Sequence, residues 1–371
     1  MKYSSLLPKE KKNLRNPNID LLRIVGMYII IIHHLILHGK ANIKFNKYNN
    51  QIHLLNIFCM WHVSSFGIIS GMVGYKNHKF SNLFYLWIVV LFYSLLFHIK
   101  FRKIIQLEMI YKFSCILFPA IYKLYWYFTA YFGIYPFLPF INSGINNMNQ
   151  VDLKKSIYFI IGIFIIWASY HRDSFSQNGG YTTFSLLIFY IFGAYIGKFI
   201  FFRKENLIHR VMTCIICIFI FIKISLISYN INIKENYSKL DINFKNLFKI
   251  RINSLPMFLQ VISITLFIAQ IKLNKIISSI ITFLGPLTFD IYLIHENPYI
   301  KTIYIRNIFN KDNDDLNIYG IYSLIFKKSF YIFFIGICIS YIRSVFFRFI
   351  RIKLFCNKCE TIITKILIHF L

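Results

Sequence analysis

Acidic residues are scarce in this chain. Only 14 Asp and Glu stand against 42 Lys and Arg among 371 residues, a formal charge of +28. Charged residues together make up 15%, where a soluble globular domain carries about a quarter. That shortage argues against a soluble protein. The excess of basic residues does not signal nucleic-acid binding, because the Lys and Arg lie mainly in loops between apolar runs. Membrane topology and anionic lipid headgroups account for such a pattern more simply. No disulfide framework is evident among the seven cysteines. Cys214 and Cys217 form a CxxC inside an apolar run, where small buried thiols are expected, and Cys356 and Cys359 form another near the C-terminus. A zinc site needs two further Cys or His ligands at suitable spacing; none lies nearby, and no metal is expected. The first 18 residues are polar and basic with no apolar h-region, so no cleaved targeting signal is expected. Nothing soluble and domain-sized is attached, and no transporter-like internal repeat is visible.

What is present is apolar sequence. Hydrophobic residues reach 57%, aromatic residues 19%, and mean hydropathy is +0.55. Long apolar runs recur at about 19–38, 53–75, 80–99, 124–142, 155–170, 181–202, 207–228, 253–271, 276–300 and 327–347. About 20 apolar residues suffice to cross a bilayer as a helix. The expected fold is therefore all-α, a polytopic integral membrane helical bundle of about ten transmembrane helices. It is expected to comprise a basic cytoplasmic N-terminus (1–18), a transmembrane domain (19–350) and a basic C-terminal tail (351–371). Ten crossings put both termini on the cytoplasmic side. Short basic loops containing Lys76 and Lys79, Lys154 and Lys155, and Lys272 and Lys275 then fall inside, as the positive-inside rule asks.

Residues 19–38, IDLLRIVGMYIIIIHHLILH, carry Asp20, Arg23, His33, His34 and His38 within an apolar segment. Ionisable groups at membrane depth are costly, and they mark functional sites by default. Arg23 and His34 are eleven residues apart. That spacing brings them to within about 20° of one helix face, about 16 Å apart along the axis. His38 returns to the same side, whereas His33 points about 80° away from Arg23. Two further polar stretches stand out. One is the aromatic run around Trp126 and Tyr127; the other is TFDIYLIHENPYI, with Asp290, Tyr292, His295 and Glu296. Asp290 and His295, five apart, do not share a face of a regular helix. A neutral histidine can take a proton from a hydroxyl, and an arginine suits phosphate or carboxylate recognition. The same histidines can instead bridge helices, Arg23 can pair with Asp20, the aromatics can form an interfacial belt, and His62 reads as structural. These residues alone describe a polar intramembrane site and do not separate an enzyme from a transporter.

The chain resembles the acyltransferase-3 family of membrane acyl-transfer enzymes. Arg23 and His34 meet that family's arginine–ten residues–histidine motif in the first span. NIDLLRIVGMYIIIIHH, IISGMVGYK, LYWYFTAYFGIYPFLPFIN, GYTTFSLLIFYIFGAYIGK and TFDIYLIHENPYI follow in family order over roughly 18–300, most like the branch that O-acetylates bacterial surface polysaccharides. Asp290 stands where the family usually has glycine, and Lys76 and Lys79 where it often has arginines. The resemblance implies a multi-pass protein of the plasma membrane that moves an acyl group, acetyl in that branch, from cytoplasmic acyl-CoA to a glycan or polysaccharide hydroxyl. It implies His34 and Arg23 as catalytic residues, and Lys76 and Lys79 as contacts to CoA phosphates. His295, Glu296, Tyr292, Trp126 and Tyr127 would contact the acceptor, or in the case of His295 and Glu296 support His34. Membrane lipids are the other expected partner, and the oligomeric state stays open. A lipid-linked-sugar or anion transporter and a non-catalytic envelope-assembly partner are the alternatives.

Overall fold

The computed structural model describes residues 15–76, 78–105, 113–171, 175–201, 205–233, 242–312 and 315–370, and every regular element among them is a helix. The first, α1 (Pro17–Leu37), begins where Asn16 accepts hydrogen bonds from the N–H groups of Asn18 and Ile19 and Pro17 presets the first turn. It then runs without a break. A short turn of helix, α2 (Ala41–Lys44), leads to α3 (Asn49–Cys59) and α4 (His62–Gly74). The apolar run expected as one span at 53–75 is thus two helices separated at Met60-Trp61, with no Pro or Gly to announce the break. The chain continues as α5 (Phe80–Phe101) and α6 (Phe113–Leu117). In the aromatic run, Pro136 separates α7 (Trp126–Ile134) from α8 (Leu138–Asn147). Next come α9 (Gln150–Ile160), a π-turn, α10 (Ala168–Tyr170), α11 (Thr183–Phe199), α12 (Leu207–Ile233), α13 (Ile242–Leu247) and α14 (Leu255–Ala269). The break expected at Gly285-Pro286 separates α15 (Lys275–Leu284) from α16 (Thr288–His295). A turn, α17 (Pro298–Ile300), precedes the long α18 (Ile318–Phe349). The segment expected as a basic tail is the helix α19 (Ile352–Phe370), which lies along α5, where Glu360 accepts the Phe80 N–H at 2.8 Å.

Among the described residues six helical segments are long and apolar enough to cross a membrane: Pro17–Leu37, Asn46–Gly74, Phe80–Phe101, Leu207–Ile233, Lys275–His295 and Ile318–Phe349. By this measure the expected ten are not reached. The reasons are that α11 and α14 are only 17 and 15 residues long and that α7–α8 and α9–α10 are interrupted. The chain is a multi-pass helical membrane protein. The apolar segment of α12 is only 17% buried and that of α18 only 22%, against 61% for α1. The first two turn apolar side chains outward, as lipid requires, whereas α1 is the inner helix, packed on α3, α4, α14, α15, α16 and α18.

Close packing of α4 on α11 fixes one wall around α1. Gly67 and Gly71 on α4 and Gly193 and Gly197 on α11 form two GxxxG patterns that meet. A Cβ on Gly71 would lie 1.9 Å from the Tyr190 carbonyl oxygen, and one on Gly193 would lie 2.1 Å from that of Ile68. On the opposite side, buried Asp290 of α16 pairs with buried Arg343 of α18. Arg343 Nε donates to Asp290 Oδ2 at 2.8 Å and the Tyr93 hydroxyl donates to the same oxygen at 3.0 Å. Arg343 Nη1 also donates to the Tyr85 hydroxyl at 2.9 Å. This network ties α16 to both α5 and α18.

Candidate active site

Arg23, Met27, Ile30 and His34 recur along α1 at steps of four, three and four, so they form one stripe. That stripe lines a cavity of about 260 Å³. The other walls come from α4 (His62, Phe66, Ser70), α7 (Trp126, Tyr127, Tyr131), the Gly285-Pro286 break and Tyr292 of α16. α4 runs antiparallel to α1, since His62 is beside His33 and a Cβ on Gly26 would meet Ser65. α16 runs parallel to it, with Gly285 beside Asp20 and His295 beside His34.

One end of the cavity is cationic. Asp20 is fully buried and accepts from both Arg15 (Nη2 to Oδ1, 2.7 Å) and Arg23. Two guanidinium groups on one carboxylate leave a positive surplus beside the space that Arg15 and Arg23 line. Gly285 makes room for this arrangement, because a Cβ there would stand 2.5 Å from Asp20 Oδ1.

The other end is a histidine cluster whose proton positions follow from its partners. His295 Nδ1 faces the Ile291 carbonyl at 2.7 Å. A carbonyl only accepts, so Nδ1 carries the proton, and in the neutral ring Nε2 has the lone pair. His34 Nδ1 stands 3.0 Å from His295 Nε2 and therefore donates to it. The lone pair of His34 is left on Nε2, the nitrogen a substrate can use. Glu296 Oε1 lies 3.0 Å from His34 Nδ1 and 3.7 Å from His38 Nε2, and Lys301 Nζ donates to Glu296 Oε2 at 3.1 Å. His33 turns away, with its Nδ1 2.7 Å from Asn56 Oδ1. His34, His38 and Glu296 each offer one ligand atom within 4.8 Å of the others, a set that could hold a divalent cation. The Lys301 ammonium already provides Glu296 with a positive partner.

Of the residues singled out from the sequence, Arg23, His34, Trp126, Tyr127 and Tyr292 line the cavity together. The Tyr127 N–H donates to the Tyr292 hydroxyl at 3.3 Å, and the Trp126 ring packs edge-on against Tyr181. His295 and Glu296 stand behind His34. Lys76 and Lys79 are not among the lining residues. They lie where the antiparallel α4 has passed the arginine end of α1. There Lys76 Nζ sits 5.6 Å from the Tyr75 ring centroid, and the Lys79 carbonyl accepts from the Tyr135 hydroxyl at 2.7 Å. Asp290, from the same polar stretch as His295, faces Arg343. Arg15, His62 and Asn297 gain roles that their local sequence does not announce. Asn297 Nδ2 donates to the Tyr125 hydroxyl at 2.8 Å, and its Oδ1 accepts the Tyr299 N–H at 3.0 Å, which holds the turn after Glu296. The Asn-Pro pair was the one signal available for it.

A family model described as an acyltransferase domain matches residues 16–349, from the cap of α1 to the end of α18. The chain belongs to the acyltransferase-3 family. Comparison with curated proteins and with solved structures gave no match. Arg23 and His34 thus sit at the two ends of one cavity, in a membrane acyltransferase.

Proposed function

We propose that this acyltransferase moves an acyl group, acetyl as the working donor, from cytoplasmic acyl-CoA to a hydroxyl of a cell-surface polysaccharide or other glycan. The observation that carries this reading is the single cavity that joins Arg23 to His34. The neutral arm of the donor enters at the Arg15–Arg23 end, and Arg23 orients it by facing the phosphate from which that arm starts, at the mouth of the cavity. A volume of about 260 Å³ suits the thioester and the acceptor hydroxyl, not the nucleotide of CoA. The nucleotide stays outside, on the side of α4 that ends at Lys76 and Lys79, whose ammonium groups meet its phosphates as point charges. His34 Nε2 is the base or nucleophile at the acyl carbon. His295 and Glu296 hold its ring, with Trp126, Tyr127 and Tyr292 offering flat faces and hydroxyls to a sugar.

In this reading α7–α8, α9–α10, α11 and α14 also cross, giving ten passes in the plasma membrane with both termini in the cytoplasm. The test is thioester turnover. Purified protein in detergent, given acetyl-CoA and neutral glycans, should release CoA. His34→Ala should lower the rate by about 10²–10⁴-fold, the usual contribution of a general base, with the helical circular dichroism unchanged. CoA release at the wild-type rate from His34→Ala would remove the assignment.

A further inference from the structure

A second basic nitrogen faces the same cavity. His62 is 1% exposed and opens α4 immediately after the Met60-Trp61 break. Its Nδ1 is hydrogen-bonded to the Cys59 carbonyl, so the proton of the neutral ring is on Nδ1 and the lone pair is on Nε2. His62 lines the cavity, and its Nε2 is buried with no hydrogen-bond partner among the described residues. Two neighbouring donors are committed elsewhere. The Ser65 hydroxyl donates to the His62 carbonyl at 2.6 Å. His33, with ring centroids 4.8 Å apart, directs its Nδ1 to Asn56 Oδ1 and so has no ring proton left to give. A buried acceptor kept without a donor costs stability. Its natural complement is a hydroxyl brought in by a ligand.

His34 and His62 face each other with ring centroids 6.4 Å apart and planes at 86°. That separation of the ring centres leaves room for one acyl carbon bonded to one ring and one hydroxyl oxygen within hydrogen-bond reach of the other, about 2.6–3.2 Å.

Building on the acyl-transfer reading above, we propose that transfer passes through an acyl group on His34 Nε2 and that His62 Nε2 is the base of the second half-reaction. In the first half, the bond from His34 Nε2 to the acyl carbon forms and the carbon–sulfur bond breaks. The CoA thiolate leaves with the electron pair, and the His34 Nδ1 proton passes to His295 Nε2. His34 is then blocked at Nε2 and cannot deprotonate an acceptor. In the second half, the acceptor hydroxyl gives its proton to His62 Nε2 as its oxygen bonds to the acyl carbon. The carbon–nitrogen bond breaks, its electron pair returns to the His34 ring, and Nδ1 recovers its proton from His295. The proton on His62 leaves to the thiolate or to water. The sum is one ester and one CoA, with no oxidant or reductant.

The test uses the full-length protein in detergent, radiolabelled acetyl-CoA as donor, and water and methyl glucoside as hydroxyl probes. Label on the protein and free CoA are followed together. Wild type should release about one CoA per chain in a burst, carry transient label, and transfer that label to methyl glucoside. His62→Gln keeps an amide donor for the Cys59 carbonyl but is not basic. It should keep the burst and hold the label, with deacylation slowed about 10²-fold or more. His62→Ala should do the same and recover when imidazole is added. His34→Ala should carry no label. Label cleared from both His62 variants at the wild-type rate would overturn the proposal, as would loss of the burst in both, which is the signature of a merely structural histidine. Steady turnover by wild type without label would establish direct transfer and overturn it too, while leaving the acyltransferase reading intact. That reading fails differently, by undiminished CoA release from His34→Ala.

Discussion

At the scale of single residues, the site depends on charges and protons that have few alternatives. Arg15 and Arg23 share the Asp20 carboxylate. Asp20→Ala should cost about 1–3 kcal/mol by chemical denaturation in detergent, less than a fully buried pair because Arg15 is half exposed. Gly285→Ala should disturb the same place from the other side, since its Cβ must push Asp20. The expected result is a raised KM for the acyl donor with a smaller change in kcat. Glu296→Gln keeps shape and removes charge, so it should lower kcat more than it raises KM, as for a residue that orients the base. Arg23 and His34 were legible because α1 is an unbroken helix, where residue spacing alone fixes the face. His62 was not legible. Its value comes from a lone pair set by the Cys59 carbonyl and from a helix direction visible only once α4 lies against α1. Lys76 and Lys79 follow the end of α4, and their distance from the cavity depends on how far that helix runs.

At the scale of helices, two contacts carry the frame. The α4–α11 contact is made by backbone, so Gly193→Val must force the helices apart. The expected cost is about 3 kcal/mol or more, beyond ordinary overpacking, seen as a lower melting temperature and loss of monodisperse protein in detergent. The second contact is Asp290–Arg343. Asp290→Ala leaves a buried guanidinium without its carboxylate and should cost about 3–5 kcal/mol, whereas the double variant Asp290→Ala/Arg343→Leu should regain most of that loss. Sequence spacing already implied that Asp290 and His295 leave α16 on different faces. The partner of Asp290, 53 residues away, belongs to packing and not to pattern. The break at Gly285-Pro286 was readable because those residues puncture helices, but the one at Met60-Trp61 was hidden inside a continuous apolar run.

At the scale of the molecule, apolarity gave the helical membrane class directly, because lipid demands that backbone groups be satisfied within each crossing segment. The number of crossings was harder to read, since short or interrupted helices such as α11 and α7–α8 are apolar without being long. A tag at either terminus should be cut by protease only after the membrane is opened; cutting of one tag in sealed cells would invalidate the ten-pass topology. The unbroken course of α1 has one more consequence. Arg23 and His34 are mounted on a single rod, so the separation of their backbone attachment points, about 16 Å, does not vary with the rest of the bundle. The helix therefore acts as a gauge. In the proposed reaction, a donor held at a phosphate by Arg23 presents its reactive carbon to His34 only if its own arm has the matching length. One residue inserted into α1 between them would lengthen the gauge by about 1.5 Å and swing the histidine about 100° off the cavity.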